Sequence, residues 1–217
     1  MANPTMPTPD RAAIQHFYER LYGEAGDGYL VLSYPDPNPQ HVTKQGKPYL
    51  LNDWLNLAQM DLAGAAQLTA QLSTQHSLYF SLALQRPDCA PDPYHRGKNA
   101  TAYAVPGFWF DCDLAYGQHA ASTLPTTDAD ALAFLQSLQT PPSLIVHSGG
   151  GLYGYWLFKE LYIITTEEER AAFLALSKRF HHTIARAGTL RGWTLDQLGD
   201  LARVLRPPGA INGKYQS

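Results

Sequence analysis

Two aspartates, Asp111 and Asp113, stand inside an otherwise apolar and aromatic run, Pro106-Gly-Phe-Trp-Phe-Asp-Cys-Asp-Leu114. Such a run reads as a buried strand. Side chains alternate along a strand, so both carboxylates share one face, with Cα atoms about 7 Å apart. Phe108, Phe110, Cys112 and Leu114 take the other face and point into a core. Two bare carboxylates on a buried strand repel each other and are costly to desolvate unless a positive partner lies between them. A divalent cation supplies that partner, and hard oxygen ligands on a rigid strand suit Mg2+ or Mn2+. At a solvated strand end the same pair would need no metal, so its meaning depends on the rest of the chain.

Three further segments carry chemistry. Ser148-Gly149-Gly150-Gly151 lies between two apolar runs, where exposed amides and a hydroxyl can hold phosphate oxygens or simply turn a hairpin. It lacks the Gly-Lys-Ser/Thr and following helix of a nucleotide-binding P-loop. Asp200 is a third acid, followed by Arg203 and Arg206 before a Pro-Pro-Gly turn. Guanidinium groups match phosphate in bidentate fashion, although Arg203 is also spaced to pair with Asp200 on a helical turn. Arg96 and Lys98 sit in a Pro/Asp/Gly-rich connection, Arg86 to Ala100, and are read either as nucleotide or template contacts or as a solvated loop. Three acids, a Ser-Gly hairpin and two arginines are together the parts of metal-assisted nucleotidyl transfer: two ions activate a hydroxyl and stabilise leaving pyrophosphate, and cations neutralise the triphosphate.

The elements that position these residues follow from the pattern. Residues 1–9 are Pro/Thr-rich and read as a disordered tail. Asp10 caps a helix through Ala12, Ile14, Phe17, Tyr18 and Leu21. A strand covers Gly28–Tyr34, and Lys44–Tyr49 reads as an exposed hairpin or loop. Asn52–Leu72 reads as one long helix and His76–Leu84 as a strand. The connection 86–100 is long enough to be functional or mobile. A helix over Thr126–Leu138, strands over Ser143–Ser148 and Leu152–Phe158, and a helix capped by Thr165 or Thr166 and running to about Ala187 complete the order, followed by a turn at Gly188–Gly192. His181-His182 reads as a pair on that helix's surface, and His147 points away from Ser148. The fold class is α+β, or mixed α/β, not a regular doubly wound sheet.

The chain has 217 residues, 45% of them hydrophobic, enough for a sizeable core in one domain. A net charge of −3 is unusual for a surface that grips duplex DNA as a whole, so nucleic-acid binding would need a local basic patch or the help of a further part. Cys89 and Cys112 form neither a disulfide framework nor a zinc spacing, which fits a reducing cytoplasm. No run reaches membrane-spanning length, and the N-terminus lacks a signal pattern.

Phe110-Asp-Cys-Asp113, His147-Ser-Gly-Gly-Gly-Leu-Tyr-Gly-Tyr-Trp156 and Asp200-Leu-Ala-Arg-Val-Leu-Arg-Pro-Pro-Gly-Ala-Ile-Asn-Gly-Lys214, in this order, resemble the archaeo-eukaryotic primase superfamily. The resemblance is to the primase-polymerase domains of phages, plasmids and other prokaryotic mobile or CRISPR-associated elements. It implies a catalytic domain over 10–217, with an N-terminal α/β module over about 10–100 and an RNA-recognition-motif-like palm over about 101–217. It implies Asp111, Asp113 and Asp200 as ligands of Mg2+ or Mn2+. Ser148, Gly149 and Gly150 would meet the incoming NTP or dNTP, and Arg203 and Arg206 its phosphates. A single-stranded DNA template is the implied partner, with a helical or helicase domain, or replication or CRISPR proteins, as further ones. Tyr153 stands where the family pattern has a histidine, replacing an ionisable donor by a neutral one. A metal-dependent nuclease, or an inactive initiator module of the same fold, are the alternative expectations.

Overall fold

The computed structural model describes residues 8–23, 25–115 and 123–211. The expected disordered tail lies largely outside them, as does the end of the last motif, Asn212 to Lys214. Among the described residues, four α-helices and an eight-stranded antiparallel sheet make an α+β fold.

Helix α1 (Arg11–Tyr22) begins where the Asp10 side chain accepts the Ala13 amide, and it buries Ile14, Phe17, Tyr18, Leu21 and Tyr22 at helical spacing. Strand β1 (Tyr29–Pro35) pairs along its full length with β2 (Leu50–Asn56). The expected helix over Asn52–Leu72 is therefore corrected: its first five residues lie in β2, and helix α2 (Leu62–Ser73) starts only after Asp61 caps Gly64. Seven pairs with β1 outweigh the helical pattern of Leu, Ala and Gln read over Asn52–Leu72, a tertiary override of a local pattern. The Lys44–Tyr49 turn is closed by a Val42–Pro48 bridge.

The expected strand over His76–Leu84 is broken into β3 (Tyr79–Ser81) and β4 (Leu84–Gln85), which lie end to end on the free edge of β1. That break forks the sheet. β4 pairs with β5 (Ala102–Asp113) near Ala102–Ala104, whereas β3 pairs with β8 (Val204–Leu205). The aspartate strand thus forms one prong and the arginine segment the other. Helix α3 (Asp128–Ser137) follows β5, capped by Thr127. The hairpin of β6 (Leu144–His147) and β7 (Gly151–Ile163) then pairs with β5 in the spatial order β6-β7-β5. Helix α4 (Glu167–Thr189) starts with a full capping box of Thr166 and Glu169 and takes in Gly188, ending two residues beyond its expected end.

Helix α1 covers one face of the sheet through a core of Phe17, Phe80, Trp109 and Tyr155, while α3 and α4 cover the other through Phe110, Cys112, Phe134 and Ile184. His181 is not a surface residue. It is fully buried against Trp109 and Phe110, and only His182 is exposed. The connection 86–100 is pinned: Trp54 Nε1 donates to the Asp92 and His95 carbonyls and the Asn52 amide to that of Pro93.

Candidate active site at the fork of the sheet

On β5, alternation puts Trp109, Asp111 and Asp113 on the α1 face and Phe110 and Cys112 on the other, as the sequence predicts. Asp111 is half-buried as a residue, yet its Oδ1 is fully enclosed and has no hydrogen-bond partner among the described residues. Burial and then the neighbouring Asp113 charge hold its carboxyl well above the ordinary range; Arg203 opposes the shift and Asp196 adds to it. Burial, then the Asp111 and Asp113 charges, push the Cys112 thiol up to about 12, so this cysteine is an inert core group.

Tyr153 lies directly across from Asp111 in the β5–β7 register. It is buried against Tyr155, edge to face at 6.4 Å. Burial, then the Asp111 charge, raise its phenol; Arg206 opposes through its charge and a backbone hydrogen bond. The tyrosine at the position where the resemblance expects a histidine is therefore a buried neighbour of both the acid and the arginine.

Arg206 is buried. Its guanidinium lies 4.9 Å above the Tyr79 ring and donates from Nη2 to the Tyr79 hydroxyl at 3.4 Å, while Nη1 is enclosed without a partner among the described residues. Arg203 stands over the Trp109 ring at 5.4 Å and donates from Nε and Nη2 to Asp200 Oδ1 at 3.1 and 2.9 Å.

The Ser148–Gly151 turn abuts the acids because Gly151 pairs with Asp113. A Cβ on Gly151 would sit 2.4 Å from the Cys112 carbonyl oxygen and 2.9 Å from Asp113 Cα, so only glycine lets the strands approach here. Gly149 has φ +91°, a conformation glycine adopts without strain. Ser148 Oγ donates to the Gly151 carbonyl at 3.0 Å and accepts from the Gly150 amide at 3.4 Å, so the hydroxyl braces the turn. His147 accepts the Gly149 amide on Nδ1, leaving Nε2 to donate to Asp128 at 2.9 Å.

Two predicted groups stand apart. Asp200 lines a small cavity with Val105, Gly107 and Trp109, two to six residues before Asp111 on β5, and its pairing is with Arg203. Among the described residues, no three His, Cys, Asp or Glu side chains converge as a metal-binding group. Arg96 and Lys98 are exposed near the opposite end of β5, where Lys98 accepts the Ala102 amide; nine residues of strand, about 30 Å, separate Ala102 from Asp111. Conversely, Asp196 lies close enough to raise Asp111, and His181 adjoins Trp109 in the field of Arg203 and Asp200. Neither has a sequence signal of its own; Asp196 is one acid in a coil, and His181 is set apart only by its spacing from Phe173, Ser177 and Ile184 on the buried stripe of α4.

A cation fits this donor set on chemical grounds. The enclosed Asp111 oxygen lacks a partner, Asp113 shares its face, and the carboxyl is held in a state that a positive charge would relieve. Comparison with known proteins finds no matching family model, no matching curated sequence and no matching solved structure.

Proposed function

We propose that this chain is a primase-polymerase catalytic domain that joins nucleotides opposite a single-stranded DNA template by metal-assisted nucleotidyl transfer. One observation carries the reading. Among the described residues, a buried carboxylate oxygen on Asp111 and a buried guanidinium nitrogen on Arg206, on opposite prongs of the fork, both lack partners, and Tyr153 is paired with Asp111 in the register and hydrogen-bonded to the Arg206 backbone. Unsatisfied buried polar groups are costly, and they mark where a ligand of opposite charge completes the network. An acid that needs a cation beside an arginine that needs an anion matches a metal–triphosphate complex.

In this reading Asp111 and Asp113 hold Mg2+ or Mn2+, with Asp196 adding negative potential. The bound metal supplies charge stabilisation for the attacking and leaving oxygens. Arg206 meets a phosphate through Nη1. Arg203, oriented by Asp200 and by the Trp109 ring, is the second cation on the phosphate side. Asp200 then acts by positioning Arg203, rather than as the third ligand expected from the resemblance. The Ser148–Gly151 turn walls the site, and its Gly149 and Gly150 backbone faces the nucleotide. Ser148 braces the wall.

Isothermal titration of a dNTP separates the readings. Nucleotidyl transfer predicts binding that depends on a divalent ion and is supported by Ca2+ as well as Mg2+. No heat with either ion, or Mg2+-dependent cleavage of single strands with no affinity for dNTP, would overturn it, the latter in favour of a nuclease.

A further inference from the structure

Away from the fork, three aromatic rings are set in the open. The imidazole of His41 stacks on Tyr49 with ring centroids 4.5 Å apart, and Tyr94 meets the same imidazole edge-on at 5.7 Å. Tyr94 is 61% exposed and Tyr49 45% exposed, among the most exposed large apolar side chains described. They are nonetheless fixed in place. Asp36 holds His41 Nδ1, the Tyr49 amide donates to the His41 carbonyl, and the Tyr94 amide donates to Asp92 Oδ1 at 2.8 Å. The hairpin between His41 and Tyr49 carries Lys44 and Lys47 in its turn, both exposed. Among the described residues, neither lysine pairs with a carboxylate; the ion pairs nearby belong to His41 and His95.

The register places this cluster at the end of the sheet that holds the fork. The Pro35–Leu50 pair ends the β1–β2 ladder beside Tyr49, and Ser33 of the same strand pairs with Tyr79, the residue under Arg206. From β8 the cluster lies across β3 and β1 to β2, about 14 Å at ordinary strand spacing.

We propose that His41, Tyr49 and Tyr94, with Lys44 and Lys47, form a binding platform for single-stranded nucleic acid that carries the template strand toward the fork. Rigid, exposed rings offer stacking faces to any base, and unpaired lysines meet the intervening phosphates. A local patch of this kind is what a chain of net charge −3 requires in order to hold a polyanion. The assignment of the strand as template rests on the proposed polymerase reading; the platform itself does not.

Fluorescence anisotropy with labelled oligothymidylate and oligouridylate, in the absence of nucleotide and metal, tests it. Wild-type protein is expected to bind, with dT and rU arms reporting the sugar preference. The Tyr49→Ala/Tyr94→Ala variant should bind at least tenfold more weakly. Lys44→Ala/Lys47→Ala should flatten the log–log salt dependence by about 1.4, at roughly 0.7 per phosphate contact. Tyr94→Ala alone, at an exposed loop position, guards against a folding defect and should weaken binding by itself. Absence of binding by wild-type protein, or tyrosine variants that bind as wild type, overturns the platform. If those variants bind normally and primers are still extended, the polymerase reading stands without it; strand binding through the tyrosines with no nucleotide transfer leaves the platform and removes the polymerase.

Discussion

Asp111 concentrates the electrostatic cost of this structure. Its raised pKa means that the folded state retains a proton more readily than the unfolded chain, so stability contributed by this group is present at low pH and is lost as pH rises past the ordinary carboxylate value. At neutral pH and without metal, Asp111→Asn is expected to stabilise the protein, by about 1–3 kcal/mol for an unsatisfied buried acceptor relieved of charge. The same substitution should abolish the rise in melting temperature that Mg2+ or Mn2+ gives the wild type. A variant no more stable than wild type, with an intact metal response, would remove Asp111 from the site. His181 runs in the opposite direction. Burial, then the Arg203 charge, lower its pKa to about 4, so the unfolded chain binds the proton first, and stability falls as pH drops from about 6.5 toward 4, by up to about 1.4 kcal/mol per pH unit. In His181→Phe the acid limb of the melting curve should shift to lower pH, with Trp109 and Phe110 accepting the ring; an unmoved limb would assign acid unfolding to other groups. At Arg206, truncation to alanine should raise dNTP Kd by roughly 1.5–3 kcal/mol, the loss of a charged hydrogen bond, whereas unchanged affinity would leave the residue a purely structural role beside Tyr79.

At the scale of elements, the hairpin and the fork decide whether these side chains meet. Gly151→Ala would drive a Cβ into the backbone of Cys112 and Asp113, neither of which can swing aside as a side chain does. It should cost about 1–3 kcal/mol of stability and weaken metal binding together, measured by melting and by metal titration on the same sample. A fall in stability with metal affinity untouched would show that the strands part elsewhere. Here the sequence was a good guide to some elements and a poor one to others. The alternation of Trp109 through Leu114 announced both the strand and the shared face of Asp111 and Asp113, because a buried strand leaves a period-two pattern. Helices α1, α3 and α4 announced themselves through Asp10, Thr127's neighbourhood and the Thr166–Glu169 box. The fork had no such signal. It depends on the break between Ser81 and Leu84 and on which partner each half takes, and pairing between distant strands is not written in local spacing. For the same reason Asn52–Leu57 looked helical, and nothing local told Asp196 from Asp200.

Across the whole molecule, the fork collects acids on one prong and arginines on the other, and the aromatic cluster of His41, Tyr49 and Tyr94 lies at the same end of the sheet. A single face for metal, triphosphate and strand is what template-directed synthesis requires. The most direct measurement is extension of a labelled primer on a single-stranded DNA template, with a primer-free reaction beside it, in Mg2+ and in Mn2+. Wild-type protein is expected to add the nucleotide complementary to the template, Asp111→Ala and Asp113→Ala each to abolish addition, and Tyr94→Ala to lower it through strand affinity. Absence of addition by folded wild-type protein with either metal, or addition that survives both aspartate substitutions, would contradict the polymerase reading.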